Sequence, residues 1–327
     1  HPRQTPYTIC KEIVELRNSH RDPLGAKKIR ALLQQRHPDG FIPSETTIYN
    51  ILSKAGLIYP PKRRKRVALG QHPFSAVHHP NDVWSADFKG QFKTRDGTWC
   101  YPLTIMDHQT RYLLTCENLV GTRFQQTQHA FQTLFQEHGL PWRIRTDNGV
   151  PFASQSPGGL SRLSKWWVRL GITPERIEPG KPQQNGRHER MHRTLKQASV
   201  IPPAQTPDLQ QRAFDEFREQ YNHDRPHESL DQQTPASVYH SSARCMPEVL
   251  PELDYPTHFR ISLVNYNGVI YHQGHRVYIA ELLKGEKVGV EEVADGVWDV
   301  YFGPVKLGYF EKSQIKKAQN EYLSLKV

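Results

Sequence analysis

Apolar residues recur at helical spacing over residues 9 to 56, where Ile9, Ile13 and Leu16 form one stripe, Ile29, Leu32 and Leu33 a second, and Ile48, Ile51 and Leu52 a third. The pattern predicts three short helices. Pro43-Ser44 opens the third, because the Ser44 hydroxyl can accept from free backbone N–H groups and Glu45 complements the positive end of the helix dipole. Thr46, Thr47, Tyr49 and Asn50 then face outward from a helix of a size that fits a DNA major groove. A plain three-helix bundle gives the same pattern, so these residues alone leave DNA binding open.

From about 82 to 240 the spacing alternates between that of strands and that of helices. Val83 to Phe92, Tyr101 to Met106 and Tyr112 to Glu117 predict three successive strands, an antiparallel meander. Phe124, Phe131, Leu134 and Phe135 mark an amphipathic helix, followed by a strand from Trp142 to Thr146, a helix from Leu160 to Leu170 and a strand from Ile172 to Ile177. A helix carrying Glu189 closes the series. Strands first in succession and then in alternation with helices predict a mixed α/β sheet of five strands. In the tail, Ile261 to Val264, Val269 to Tyr271, Val277 to Ile279, Val288 to Val290 and Trp298 to Tyr301 are short strands between glycines, consistent with a small closed barrel. Domain boundaries follow at 1–58, 81–240 and 255–320, with a linker over 59–80.

That linker carries prolines at 60, 61, 73 and 80 and the run Lys62, Arg63, Arg64, Lys65, Arg66. Such a run is often a solvated tail, but laid along a DNA backbone it releases counterions and gains salt-dependent affinity. The whole chain leans the same way: its formal net charge is +10 and its pI near 9.4, a balance for which nucleic acid is the commonest partner and a membrane surface the alternative. No apolar run approaches the roughly 18 residues of a spanning helix, and no charged-then-apolar leader opens the chain, so an intracellular protein is expected. Cys10, Cys100, Cys116 and Cys245 are scattered without a C-x-x-C pair, which points to unpaired packing residues. The chain opens at His1 on the approach to a helix, and a further segment is expected upstream.

The candidate chemistry is acidic. Asp87 lies in a strand of alternating apolar and polar residues, where a buried carboxylate is costly unless paired or metal-bound. Asp147 ends a strand and enters a glycine turn, Asp147-Asn-Gly149. Each has an ordinary structural reading by itself. Both nevertheless fall at the carboxyl ends of predicted strands, where open α/β sheets bind ligands. Glu189 stands among Arg187, Arg190, Arg193 and Lys196, a lone acid in a basic field. Converging carboxylates favour hard cations such as magnesium or manganese, and a pair of these suits in-line phosphoryl displacement. His188-Glu189-Arg190-Met191-His192 also spells H-E-x-x-H, the helical zinc-protease signature. That reading leaves Asp147 and the basic linker without a role, and the histidines are then DNA-facing or structural. A DNA-binding regulator with an inactive core is a third reading, disfavoured because all three acids are in place.

Asp87, Asp147 within Thr-Asp-Asn-Gly, and Glu189 within Asn185-Gly-Arg-His-Glu-Arg resemble the three acids of the DDE transposase and retroviral integrase superfamily. Pro157 to Trp167 and Tyr221-Asn-His-Asp-Arg-Pro-His227 extend the match, and the combination resembles bacterial insertion-sequence transposases with an integrase-type core. The resemblance implies an RNase H-like fold, a helix-turn-helix domain before it and an SH3-like barrel after it. It implies binding to the terminal inverted repeats of a mobile element, cleavage of the DNA ends by metal-activated water, and transesterification of the freed 3′-hydroxyl into target DNA. Asp87 would be shared by two Mg2+ ions, with Asp147 and Glu189 each holding one, and Mn2+ able to substitute. Asn185, Arg193 and Lys196 match integrase helix positions that contact DNA, with Met191, Leu195 and Ala198 as the opposite, core-facing stripe. A homo-oligomer, dimer or higher, is implied by two element ends held in one complex, in a bacterial cytoplasm at the nucleoid. One departure stands out: Glu189 follows Asp147 by 42 positions, longer than the usual integrase interval, and the surplus is expected around Ser154 to Ser164.

Overall fold

The computed structural model describes residues 5–58, 74, 76–178, 182–312 and 323–326. By its internal contacts the chain divides into two compact units, one drawn from His1–Ser75, Phe88–Val120 and Gly186–His240, the other from Ala76–Asp87, Gly121–Asn185 and Ser241–Val327.

Three helices open the first unit: α1 (Tyr7–Asn18), α2 (Ala26–Arg36) and α3 (Glu45–Lys54). Ile13, Leu16, Leu24, Ile29, Leu33, Ile48 and Leu52 form their common core, so the three expected stripes do meet. The Ser44 hydroxyl accepts from the Thr47 backbone N–H at 3.2 Å, which starts α3 where the sequence predicts.

The central sheet has strands β1 (Val83–Phe88), β2 (Phe92–Lys93), β3 (Trp99–Asp107), β4 (Leu113–Leu119), β5 (Arg143–Thr146) and β6 (Thr173–Arg176), ordered β2-β3-β1-β5-β6 with β4 paired to β3. It is mixed, as expected: β3 runs antiparallel to β4, while β5 is parallel to both β1 and β6. Six strands replace the five predicted. The long first strand expected to reach Phe92 stops at Phe88, because Gly90 takes φ +85° and breaks the extended run, leaving β2 as a separate two-residue strand.

Helices α4 (Phe124–His138), α5 (Arg162–Arg169), α6 (Gly186–Leu195) and α7 (Pro207–Glu219) follow, with a short α8 (Pro235–Val238). Ser161 and Ser164 cap α5 reciprocally, each hydroxyl accepting from the other's backbone N–H at 3.2 and 2.8 Å. The surplus between Asp147 and Glu189 contains a single-turn helix at Pro157–Gly159 and an isolated bridge between Ala153 and Leu160. In the first unit, Met191 and Leu195 of α6 and Phe214 and Phe217 of α7 share a core with Cys100, Met106, Leu113 and Cys116 of β3 and β4.

The terminal strands are β7 (Arg260–Leu263), β8 (Val269–His272), β9 (His275–Tyr278), β10 (Lys287–Ala294), β11 (Val297–Phe302), β12 (Val305–Glu311) and β13 (Leu323–Ser324). They make a four-stranded sheet, β12-β11-β10-β7, and a three-stranded one, β13-β9-β8. Ile270 and Val277 of one sheet and Val290, Val300, Phe302 and Phe310 of the other fill one core, joined by Val264 just past β7. Two separate sheets sharing one core thus stand in place of the single small closed barrel expected.

Candidate active site

Asp87 sits one residue before the end of β1, and Asp147 directly follows β5. The two strands pair in parallel with Val83 beside Arg143, Trp84 beside Ile144 and Ser85 beside Arg145. The paired positions end at Ser85 and Arg145, two residues short of Asp87 and Asp147. Asp87 and Asp147 thus lie at the carboxyl ends of two neighbouring parallel strands, the edge at which α/β sheets bind ligands. Both residues are half-buried.

Local bonding explains why the chain turns there. Asp147 Oδ1 accepts from the Gly149 N–H at 3.0 Å, closing a tight turn, and Asn148 Nδ2 donates to the Ile177 carbonyl at 2.7 Å. Just below, Arg145 is buried and its guanidinium donates to Glu175 Oε2 from Nε at 3.1 Å and Nη2 at 2.9 Å. Burial lowers the Arg145 pKa, and the Glu175 carboxylate opposes that shift. Because Arg145 and Glu175 are register partners across β5 and β6, the pair clamps the strand that delivers Asp147.

Glu189 lies in the other unit, on the first turn of α6, and is exposed. Arg187, Arg190, Arg193 and Lys196 are exposed with it, in keeping with a basic outer face. Arg187 also donates to the His108 carbonyl at 3.0 Å. Asn185 departs from that face: it ends the single-turn helix before α6 and is buried. Thr46, Tyr49 and Asn50 are exposed on α3, whereas Thr47 is half-buried and bonded to the Ser44 cap. Lys62 to Arg66 lie outside the described residues.

The two histidines of the H-E-x-x-H string are buried, which excludes the DNA-facing reading among the described residues. Each presents Nε2 to Thr104 Oγ1 of β3 at 2.7 Å, so one hydroxyl meets both rings. Burial pulls His188 down to about 3, and burial with the neighbouring His188 and Lys89 depresses His192 further. Both rings are therefore neutral near pH 7. A neutral pair fits one hydroxyl well, since Thr104 can donate to one imidazole and accept from the other. The signal was present in the sequence: His188, Met191, His192 and Leu195 follow the spacing of a buried helical face.

The chemistry of the strand-end acids suits a hard divalent cation, because carboxylate oxygens are its preferred ligands and Asp87 and Asp147 each offer a carboxylate at a strand end. In Asp87 and Asp147 the residues present fit magnesium or manganese.

Residues 77–182 match a family model described as "Integrase core domain", and residues 170–235 match a second with the same description. A protein of insertion element IS407 from Burkholderia multivorans is 25% identical over 249 residues, covering 75% of this chain and 86% of the relative. The Gag-Pol polyprotein of baboon endogenous virus is 25% identical over 174 residues, 53% of this chain but only 10% of the polyprotein. Among solved structures, a chain of the simian T-cell lymphotropic virus intasome is similar with TM-score 0.42 and 19% identity, covering 85% of this chain and 93% of that one. The HTLV-2 integrase catalytic core domain in complex with magnesium gives TM-score 0.39 and 18% identity over 50% of this chain and 98% of that one.

Proposed function

We propose that this chain, an insertion-sequence transposase with an integrase-type core, binds the terminal repeats of a mobile element, cleaves its DNA ends and joins the freed 3′-hydroxyl to target DNA. The observation that supports the reading is the parallel pairing of β1 with β5, whose carboxyl ends carry Asp87 and Asp147 within the integrase core match. Neighbouring carboxylates about 4 Å apart repel by roughly 4 kcal/mol at an effective dielectric of 20, and a shared cation removes that cost.

Asp87 would be the common ligand of two Mg2+ ions, with Asp147 and Glu189 each completing one; Mn2+ would serve in their place. When bound, such ions supply Lewis-acid stabilisation of the charge on the transferring phosphoryl group and make a water or 3′-hydroxyl nucleophilic at neutral pH. In cleavage the water oxygen bonds to phosphorus, the bond to the 3′ oxygen breaks, and the 3′-hydroxyl leaves with a proton. In joining, that 3′ oxygen bonds to a target phosphorus, and a target 3′ oxygen leaves and takes up the proton. One phosphodiester is exchanged for another, so no further reactant is needed.

The remaining residues would hold DNA. Arg187, Arg190 and Arg193 line the exposed face of α6 around Glu189, with Lys196 just past its end, where their cations can meet phosphates flanking the cut. Thr46, Thr47, Tyr49 and Asn50 of α3, in the helical segment 1–58, would read the element end in a major groove. Lys62 to Arg66 would track the backbone between that segment and the 81–240 core, with 255–320 as a further domain. Two ends in one complex require at least a dimer, acting on DNA at the bacterial nucleoid. The test is direct: incubation with element-end duplex and magnesium should yield nicked and joined products, whereas binding without products under magnesium or manganese contradicts the assignment.

A further inference from the structure

Within the first unit, cations crowd the place where the loop before α2 meets the segment after α7. Arg225 pairs with the Asp22 carboxylate and donates to the Asp22 carbonyl at 3.3 Å, while Lys27 pairs with Glu228. These pairings occupy Asp22 and Glu228, the two carboxylates whose charge acts on Lys28. The Lys28 ammonium has no hydrogen-bond or ion-pair partner among the described residues and is partly withdrawn from water. Burial, then the nearby Arg225, pull its pKa down to about 8.

His227 stands at the same spot. Its ring meets Tyr221 edge-on at 4.8 Å, and its Nε2 is buried without a hydrogen-bond partner among the described residues. Burial and the charges of Lys28, Arg225 and Arg111 hold this imidazole neutral. Arg111 donates to Ser229 Oγ at 3.4 Å and to the His108 carbonyl, and Arg190 extends from α6 with its guanidinium unpartnered among the described residues. Four cations, one idle ring nitrogen and carboxylates already engaged leave positive charge uncompensated in a partly desolvated place, which is costly until an anion arrives.

We propose that Lys28, Arg190 and Arg225, with Nε2 of His227, form a phosphate-binding site, and that its ligand is a backbone phosphate of bound DNA. Guanidinium groups match phosphate oxygens bidentately, and an ammonium adds a strong point charge. A phosphate held there would tie the start of α2 to the segment following α7, so DNA binding would brace the N-terminal helices against α6 and α7. The choice of DNA as the source rests on the function proposed above, but the site itself does not.

The experiment is thermal unfolding of the full chain with and without inorganic phosphate, at ionic strength held constant with sodium chloride. Phosphate should raise Tm of the wild type and of Asp87→Asn. The increment should vanish in Lys28→Ala and shrink in Arg190→Ala, an exposed position at which folding is not at issue. Equal increments in wild type and both variants overturn the site. Duplex affinity measured against salt then identifies the source: Lys28→Ala should flatten the logarithmic salt slope by about 0.9, the value of one neutralised phosphate. An unchanged slope alongside an abolished phosphate increment overturns DNA as the ligand and leaves a free phosphate or nucleotide. Neither reading depends on cleavage, so failure here is distinguishable from failure of the assigned chemistry.

Discussion

Thr104 Oγ1 and His188 Nε2 lie 2.7 Å apart, a hydrogen bond that fastens α6 to β3 beneath the exposed Glu189. His192 Nε2 reaches the same oxygen at 2.7 Å. Thr104→Val keeps the shape and removes the hydroxyl, so neither buried ring can bond to it. Removing a buried hydrogen-bond partner costs about 1–3 kcal/mol, and a urea titration should show a destabilisation in this range. An unchanged midpoint would contradict the fastening.

Acidity should loosen the same bond. His188 has a folded pKa of about 3 against 6.5 for the free side chain, so the unfolded chain binds the proton more readily. Its contribution to stability is therefore fully present above about pH 6.5 and falls as pH drops toward 3. Urea midpoints between pH 7 and 4 should decline more steeply in the wild type than in His188→Gln. Parallel curves would rule out this histidine as a source of the decline.

Glu175→Ala tests the clamp under Asp147. Arg145 would lose the carboxylate oxygen to which two of its N–H groups donate in a buried setting, and removing one partner of such an ion pair typically costs about 3–5 kcal/mol. Thermal unfolding should reveal a large destabilisation, and DNA joining should fall further than stability alone explains, because β5 no longer holds its level beside β1. Wild-type stability would mean that the strands need no clamp.

Much of this architecture is legible in the chain. Ile13, Ile29 and Ile48 carry the helical period of the N-terminal core, and the alternation through Trp84, Ile144 and Ile172 locates strands whose order the structure supplies. Long-range pairing is not legible: Arg145 and Glu175 are thirty residues apart, and only the β5–β6 register makes them partners. The burial of His188 and His192 is hidden differently. Imidazole counts as polar in a hydropathy pattern, so the face shared with Met191 and Leu195 does not announce itself, although the spacing is there. Asn185 falls on the outer face only if α6 is extended backwards by a turn; the segment before α6 is instead a tighter helix, and this side chain is buried.

The linker offers a test independent of the core. Replacing Lys62, Arg63, Arg64, Lys65 and Arg66 with alanine should weaken duplex binding without changing sequence preference. The logarithmic salt slope should flatten by about 0.9 for each phosphate that the run neutralises in the wild type. The slope of binding against salt concentration is the readout, and an unaltered slope would exclude the run from the DNA path.

The central claim is that Asp87, Asp147 and Glu189 act together in chemistry and not in binding. The most direct measurement compares the wild type with Asp87→Asn, Asp147→Asn and Glu189→Gln, scoring duplex affinity and joined product for the same element-end DNA in magnesium. All three variants should bind within about twofold of the wild type, less than about 1 kcal/mol, and form no joined product. A variant that joins DNA at the wild-type rate would contradict the account.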